Sequence, residues 1–265
     1  MEAMILDRFK LTDRIAIVTG AGRGIGRGIA FGFAEAGAHV VCAARSVPQI
    51  EETAEGVRAR GRRALAVPCD VMQRTQLEEL VARTLAEFGR IDVLVNNAGG
   101  WPPKDALRTS EKSFEEAFRF NVTSAFVLTR LVVPHMVKTG GGAIVNISSR
   151  AGSLIQAGFA AYGTAKAALS FLSQTLGAEF APKVRVNAIA VGAVDTSALE
   201  IVMTNDELKR EFERNTPMGR IGRVEDIAAC AVYLASSASD WVTGKVFEVD
   251  GGSEIPAFKF PTTPL

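Results

Sequence analysis

The sequence predicts a single α/β domain: one open, doubly wound parallel sheet of about seven strands, with helices on both faces in three αβα layers. Three observations carry that expectation. Short apolar runs alternate with helix-length segments from end to end. Most of those runs are continuously hydrophobic rather than alternating, the pattern of strands covered on both faces. No Pro/Gly-rich linker, internal repeat or low-complexity stretch divides the 265 residues. Right-handed crossovers then join successive β-α-β units into one sheet.

The strands, in order, are "RIAIVTG" (14–20), "HVVCAAR" (39–45), "ALAVPCD" (64–70), "IDVLVNNA" (91–98), "AIVNISS" (143–149), "VRVNAIA" (184–190) and "KVFEVDG" (245–251). Helix-length segments lie between them at 24–36, 48–60, 73–88, 111–138, 160–180 and 225–236. Helix 160–180 carries Ala160, Ala161, Ala165, Ala167, Ala168, Leu169, Phe171 and Leu172 around most of its circumference. A helix apolar nearly all round is buried on more than one side, so one side is expected on the sheet and another on a second subunit. Region 193–222 reads as irregular, with Leu199, Ile201, Val202, Met203 and Met218 forming an apolar substrate-binding lid. The end of the chain, 253–265, includes "IPAFKFPTTPL" and reads as an extended tail on the surface or on a neighbour.

Composition excludes several classes. Thirty basic against 29 acidic residues give a net charge of +1, with no basic stripe or acidic tail, so neither nucleic acid nor an anionic membrane surface is expected as a partner. The start, "MEAMILDRFKL", lacks a sustained apolar core, which predicts no signal peptide. No apolar run approaches the ~18 residues that span a bilayer. Cys42, Cys69 and Cys230 are scattered and read as buried reduced thiols. His39 and His135 are isolated, so no metal site is expected. The expectation is a soluble, cytoplasmic, metal-free protein.

Strand 14–20 runs into "TGAGRGIG" (19–26) and then into a helix. Gly20, Gly24 and Gly26 allow a tight turn and let the backbone approach a pyrophosphate at the positive helix N-terminus, with Arg23 and Ile25 in the same loop. The spacing is G-x-x-x-G-x-G, and its place at the first strand–helix junction gives the glycine cluster its weight. The second strand ends "CAARS", with Arg45 where an acid would bind the ribose hydroxyls of NAD, and the next acid, Glu51, lies inside the helix. Two guanidiniums, Arg23 and Arg45, and no carboxylate favour a 2′-phosphate, hence NADP (NADPH).

Further landmarks fall where strands end: "NNAG" (96–99), "NISS" (146–149), "YGTAK" (162–166) and "GAVDT" (192–196), together with Asn121 in helix 111–138. With these in order, and Ser149 thirteen residues before Tyr162, residues 12–252 resemble the short-chain dehydrogenase/reductase family in its single-domain form. The resemblance implies a Rossmann-type fold and a catalytic Asn–Ser–Tyr–Lys set at Asn121, Ser149, Tyr162 and Lys166. It also implies Asp70 and Val71 near the adenine, and Asn97, Ala98 and Gly99 beside the cofactor. Gly192, Val194 and Thr196 follow as cofactor contacts, the last two near the carboxamide. A homotetramer built on helices 111–138 and 160–180 is implied as well, and so is a water held by Asn121 toward Lys166.

The chemistry of these residue types agrees with that mapping. Hydride transfer to a ketone builds negative charge on oxygen, so a proton donor is needed. Free tyrosine, with a pKa of ~10, is a poor acid–base group at neutral pH. A lysine at i+4 lies on the same helix face, and its ammonium is expected to lower the Tyr162 pKa toward working pH. Lys166 is also placed to bond the nicotinamide ribose, and Ser149 to hold the substrate oxygen, while Ser148 is expected to point to the other face of its strand.

The sequence departs from the family at Val191-Gly192, where Pro-Gly is usual; valine keeps an apolar wall but restores an N–H. Trp101-Pro102-Pro103, Ser153 to Phe159, and 195–218 are expected to wall the substrate pocket. That favours a hydrophobic ketone or secondary alcohol, steroid-like or 3-oxoacyl, and an acyl-carrier-protein substrate calls for a basic patch, with Arg150, Arg220 and Arg223 as candidates. The competing class is a non-catalytic dinucleotide-binding regulatory protein on the same fold, against which stands the retention of all four catalytic residue types. A dehydratase or epimerase is disfavoured because those usually belong to longer chains with an added substrate domain.

Overall fold

The seven apolar runs form seven strands in a computed structural model that describes residues 4–199, 204–256 and 260. They are β1 (Ile15–Thr19), β2 (His39–Ala44), β3 (Ala64–Pro68), β4 (Val93–Asn96), β5 (Gly142–Ser149), β6 (Val184–Val191) and β7 (Val246–Val249). All pair in parallel, in the order β3-β2-β1-β4-β5-β6-β7. The order reverses between β1 and β4, the switch point outside whose carboxyl ends ligands bind in sheets of this kind.

Alternate residues of each strand face opposite helical layers. Ala16 and Val18 pack with α1 (Gly24–Glu35), α2 (Val47–Ala59) and α8 (Val224–Ala235). Ile17 and Val41 pack with α3 (Arg74–Phe88), α5 (Ser124–Lys138) and α6 (Ala160–Phe180). Strand residues such as Ile17, Val18, Val40 and Val41 are fully buried between the layers, which is why the runs show no polar alternation.

Three local differences from the sequence expectation matter for the site. Helix 111–138 is α4 (Glu111–Phe118) joined to α5 by a π-helical turn over Arg119–Thr123. Within this 28-residue helix the most apolar window reaches a mean hydropathy of 1.3, long and apolar enough by composition to cross a membrane. Its Leu128, Val132 and Met136 are instead buried against the sheet. Region 193–222 is not wholly irregular: it contains α7 (Asp206–Arg214), started by Asn205, whose side chain accepts from the N–H groups of Glu207 and Leu208. β6 runs one residue further than expected, because Val191 pairs with both Ser149 and Val249. A proline there would remove a donor from the interior of the sheet. Ile201, Val202 and Met203 of the expected lid, and 257–259 and 261–265 of the tail, lie outside the described residues.

The three cysteines are free, and burial pushes their thiols up, to about 12 for Cys42 and about 11 for Cys69 and Cys230. Thiols held in that form are poor nucleophiles. Among the described residues no group of His, Cys, Asp and Glu is arranged to hold a metal ion.

Candidate active site

The glycine turn is tied down from β4. Asn97 Nδ2 donates to the Thr19 and Gly20 carbonyls at 2.9 and 3.3 Å, and Thr19 Oγ1 accepts from the Asn97 and Ala98 N–H groups at 3.0 and 3.1 Å. Gly20 and Gly24 have φ of +64° and +53°, conformations that favour glycine, so the chain turns sharply enough to start α1 at once. No side chain caps the N-terminus of α1, and its first turn holds no acid. Its free N–H groups and positive dipole end therefore fit a pyrophosphate. Thr196 lies over this turn, its Cγ2 3.2 Å from where a Cβ on Gly24 would stand. Val194 is buried and bridges Gly222, and Gly192 donates to the Val249 carbonyl at 3.1 Å.

Arg23 and Arg45 are exposed at the outer corner of this turn. Among the described residues neither side chain is joined by an ion pair or hydrogen bond. Arg27, by contrast, is occupied by Glu52 and the Gly22 carbonyl. Across the sheet edge, the Asp70 carboxylate accepts from Met72 N–H at 3.0 Å, and Val71 is buried beside it.

The four residues of the expected catalytic set converge between the ends of β4 and β5. Ser149 is the last residue of β5, and its hydroxyl accepts from Ala151 N–H and neighbours the Tyr162 phenol. Ser148, on the opposite strand face, instead bonds Ser170 Oγ and the Lys166 carbonyl, which locks α6 to β5. Lys166 Nζ stands 5.7 Å from the Tyr162 ring centroid and donates to the Ile147 carbonyl at 2.8 Å. Asn121 sits in the π-helical turn, where Nδ2 donates to the Ala117 and Gly100 carbonyls and Oδ1 accepts from Gly100 N–H. Asn121 Oδ1 and Lys166 Nζ both border Gly99, at 2.7 and 3.0 Å from the position of a Cβ there.

Burial governs protonation at this site, which corrects the sequence argument. It raises the Tyr162 phenol above its ordinary value of 10, and the Ser149 hydrogen bond only partly offsets this. It pulls the Lys166 ammonium down from 10.5 to about 8. The lowering of Tyr162 expected from the Lys166 charge is not found: desolvation dominates, and the phenol stays protonated.

Two candidate cleft arginines are otherwise engaged. Arg150 is buried, paired with Glu248 and with Asp250 at 2.7 Å, and donates to the Ser253 carbonyl at 3.0 Å. Arg220 pairs with Asp226 at 2.7 Å. A basic patch therefore does not assemble from this pair.

The sequence reading also passed over a buried amide chain beneath the site. Asn96 donates to Asn146 Oδ1 and Asn146 donates to Ser173 Oγ, each at 2.8 Å. It fastens β4, β5 and α6 together, and a polar residue at matched positions of two apolar runs is its sequence signal.

Comparison with known proteins fits this geometry. A family model described as Enoyl-(Acyl carrier protein) reductase matches residues 20–254. The chain belongs to the short-chain dehydrogenase/reductase family. As a short-chain dehydrogenase/reductase it is an oxidoreductase acting on secondary alcohols or ketones and binding NAD(P)(H). It is 48% identical over 263 residues to an uncharacterised oxidoreductase of Mycobacterium tuberculosis, covering 99% of this chain and 100% of that one. A solved 7α-hydroxysteroid dehydrogenase, complexed with NADH and 7-oxo glycochenodeoxycholic acid, superposes with a TM-score of 0.91 at 37% identity, covering 95% of this chain and 98% of that one. A gluconate 5-dehydrogenase from Burkholderia cenocepacia, in complex with NADP and tartrate, superposes with a TM-score of 0.88 at 33% identity over 94% and 98% of the two chains.

Proposed function

We propose that this enzyme interconverts an apolar ketone and its secondary alcohol using NADP(H), with Tyr162 as the acid/base. The observation that carries the proposal is the gathering of Ser149 and Tyr162 with the buried Lys166, whose Nζ stands 5.7 Å from the Tyr162 ring centroid, at the end of β5. The bound dinucleotide supplies or accepts the hydride. Ser149 orients the substrate oxygen toward Tyr162, and the phenol, kept protonated by burial, donates its proton to that oxygen as negative charge develops. Lys166 stabilises the phenolate that remains and bonds the nicotinamide ribose. Asn121 holds the Gly99–Gly100 turn against Lys166 and anchors a water that returns the proton.

Gly20, Arg23, Gly24, Ile25 and Gly26 hold the pyrophosphate end, and Arg23 and Arg45 select NADP through the 2′-phosphate. Their freedom from internal partners supports that choice. Asp70 and Val71 border the adenine, Asn97 to Gly99 the cofactor's inner edge, and Gly192, Val194 and Thr196 the carboxamide side. The substrate is a flat, steroid-like ketone rather than a carrier-bound 3-oxoacyl chain, because Arg150 and Arg220 are already paired. Region 193–222 acts as the lid.

The enzyme works in the cytoplasm as a homotetramer. Phe171 on α6 is 70% exposed and Phe114 and Phe118 on α4 are 39% exposed, an apolar surface suited to a second subunit. Elution as a monomer at micromolar concentration contradicts that assembly.

The test follows NADPH oxidation across steroid ketones, acetoacetyl thioesters, quinones and small keto sugars, with Tyr162→Phe alongside. The expected result is turnover of the polycyclic ketones and a loss on the order of 10²–10⁴-fold in the variant. A wild type that binds NADPH and reduces no ketone overturns the proposal.

A further inference from the structure

We propose that Phe260 is a specificity-determining wall of the substrate cleft, seated on Gly158 and selecting flat apolar ketones; this rests on the reductase reading above. Gly158 has a φ of +80°, in the left-handed region, and presents bare backbone to the Phe260 ring. A Cβ at Gly158 would stand 2.6 Å from Phe260 Cγ and 2.8 Å from Cε1, so the ring fills the space a side chain would take. The Gly158 carbonyl accepts from Lys104 N–H at 2.8 Å. That bond ties the 153–159 loop to the chain just after Trp101-Pro102-Pro103, two of the expected pocket walls, and Phe260 packs on Gly158 at that tie.

The next residue carries the contact inward. The Phe159 ring meets the Tyr162 ring edge-on at 6.2 Å, an arrangement favoured between aromatic faces and edges. Phe260 thus sits on the residue next to Phe159, whose ring meets that of the proposed proton donor. Ile155, in the same loop, is 97% exposed, a second apolar side chain that this loop presents to solvent. Phe260 itself is half-buried, with ring surface left to meet a ligand. A flat polycyclic ketone matches such a wall by area, whereas a short or hydroxylated ketone gains little from it.

The test compares wild type, Phe260→Ala and Phe260→Leu. It measures kcat/KM for a polycyclic ketone and for a short aliphatic ketone, with hydrogen exchange over residues 153–159. In Phe260→Ala the ratio of the two specificity constants falls on the order of tenfold or more, through KM for the polycyclic ketone. Phe260→Leu, which keeps most of the volume, recovers part of that ratio and guards against a folding defect. An unchanged ratio in Phe260→Ala overturns the proposal. If wild type reduces neither ketone, the reductase reading fails on its own. The exchange comparison then still decides the placement of Phe260: faster exchange over 153–159 in Phe260→Ala supports it, and unchanged exchange overturns it.

Discussion

The two ends of the crevice hold their charges in opposite ways. At the adenosine corner, Arg23 and Arg45 stand in water with no internal partner among the described residues. At the reacting corner, Lys166 is buried and bonded to the Ile147 carbonyl, and Ser149 and Asn121 are held by hydrogen bonds. An exposed guanidinium keeps its charge at any working pH and waits for a ligand to give it a partner. A buried ammonium titrates near the working range, so its charge depends on the solution. In the function proposed above, the exposed corner selects the cofactor and the buried corner sets when the chemistry runs.

Breaking the buried corner has the largest expected effect. Lys166→Met lowers kcat/KM for ketone reduction by about 10² or more, because the developing phenolate loses its cation. Lys166→Arg, charged throughout, retains part of the activity. It also moves the alkaline fall of kcat/KM above the pH of about 8 at which Lys166 deprotonates in the wild type. A fall at the same pH in both proteins assigns that titration to another group.

Arg150 shows what burial costs when a partner is removed. Arg150→Ala leaves Asp250, paired with it at 2.7 Å, without its cation, and about 3–5 kcal/mol of stability is lost in denaturant unfolding. The double change with Asp250→Asn loses less than the sum of the singles.

The exposed corner responds more gently and through selectivity. Arg45→Asp, alone or with Arg23→Ala, shifts the NADPH-over-NADH ratio of specificity constants by about 10–100-fold toward NADH, as expected for one charge-assisted contact of roughly 1.5–3 kcal/mol. A wild type with equal affinity for the two cofactors in a titration of the cofactor-free protein contradicts the assignment.

The same buried ammonium makes stability depend on pH. Lys166 has a folded pKa of about 8 against 10.5 when unperturbed. In the window between them the unfolded chain binds more protons at this site than the folded one. Stability therefore rises with pH through that window and is lost as pH falls through about 8. The unfolding free energy of wild type relative to Lys166→Met rises by up to about 3 kcal/mol from neutral pH to pH 10.5.

What the sequence made legible was whatever is encoded locally. Continuous apolar runs placed all seven strands within a few residues, and the glycine spacing placed the turn that starts α1. The i,i+4 spacing of Tyr162 and Lys166 was enough to put both on one side of α6. α7 was missed because "DELKREFER" is nearly all charged, although Asn205 followed by Asp206 and Glu207 is a helix-start signal. The inward turn of Arg150 could not be read locally, since its acids, Glu248 and Asp250, come from the end of β7. The direction of the Tyr162 shift failed for the same reason. A charge four residues away is visible in the sequence, whereas desolvation sums over everything the fold packs around the ring.

That last point supplies the most direct test. The chain has two tyrosines, so in Tyr233→Phe the phenolate absorbance of the cofactor-free protein reports Tyr162 alone. With burial dominant, the phenolate emerges only above the ordinary tyrosine value of 10. Phenolate appearing below that value while the protein remains folded would show that the neighbouring charge, not burial, sets the proton on Tyr162, and would contradict the account.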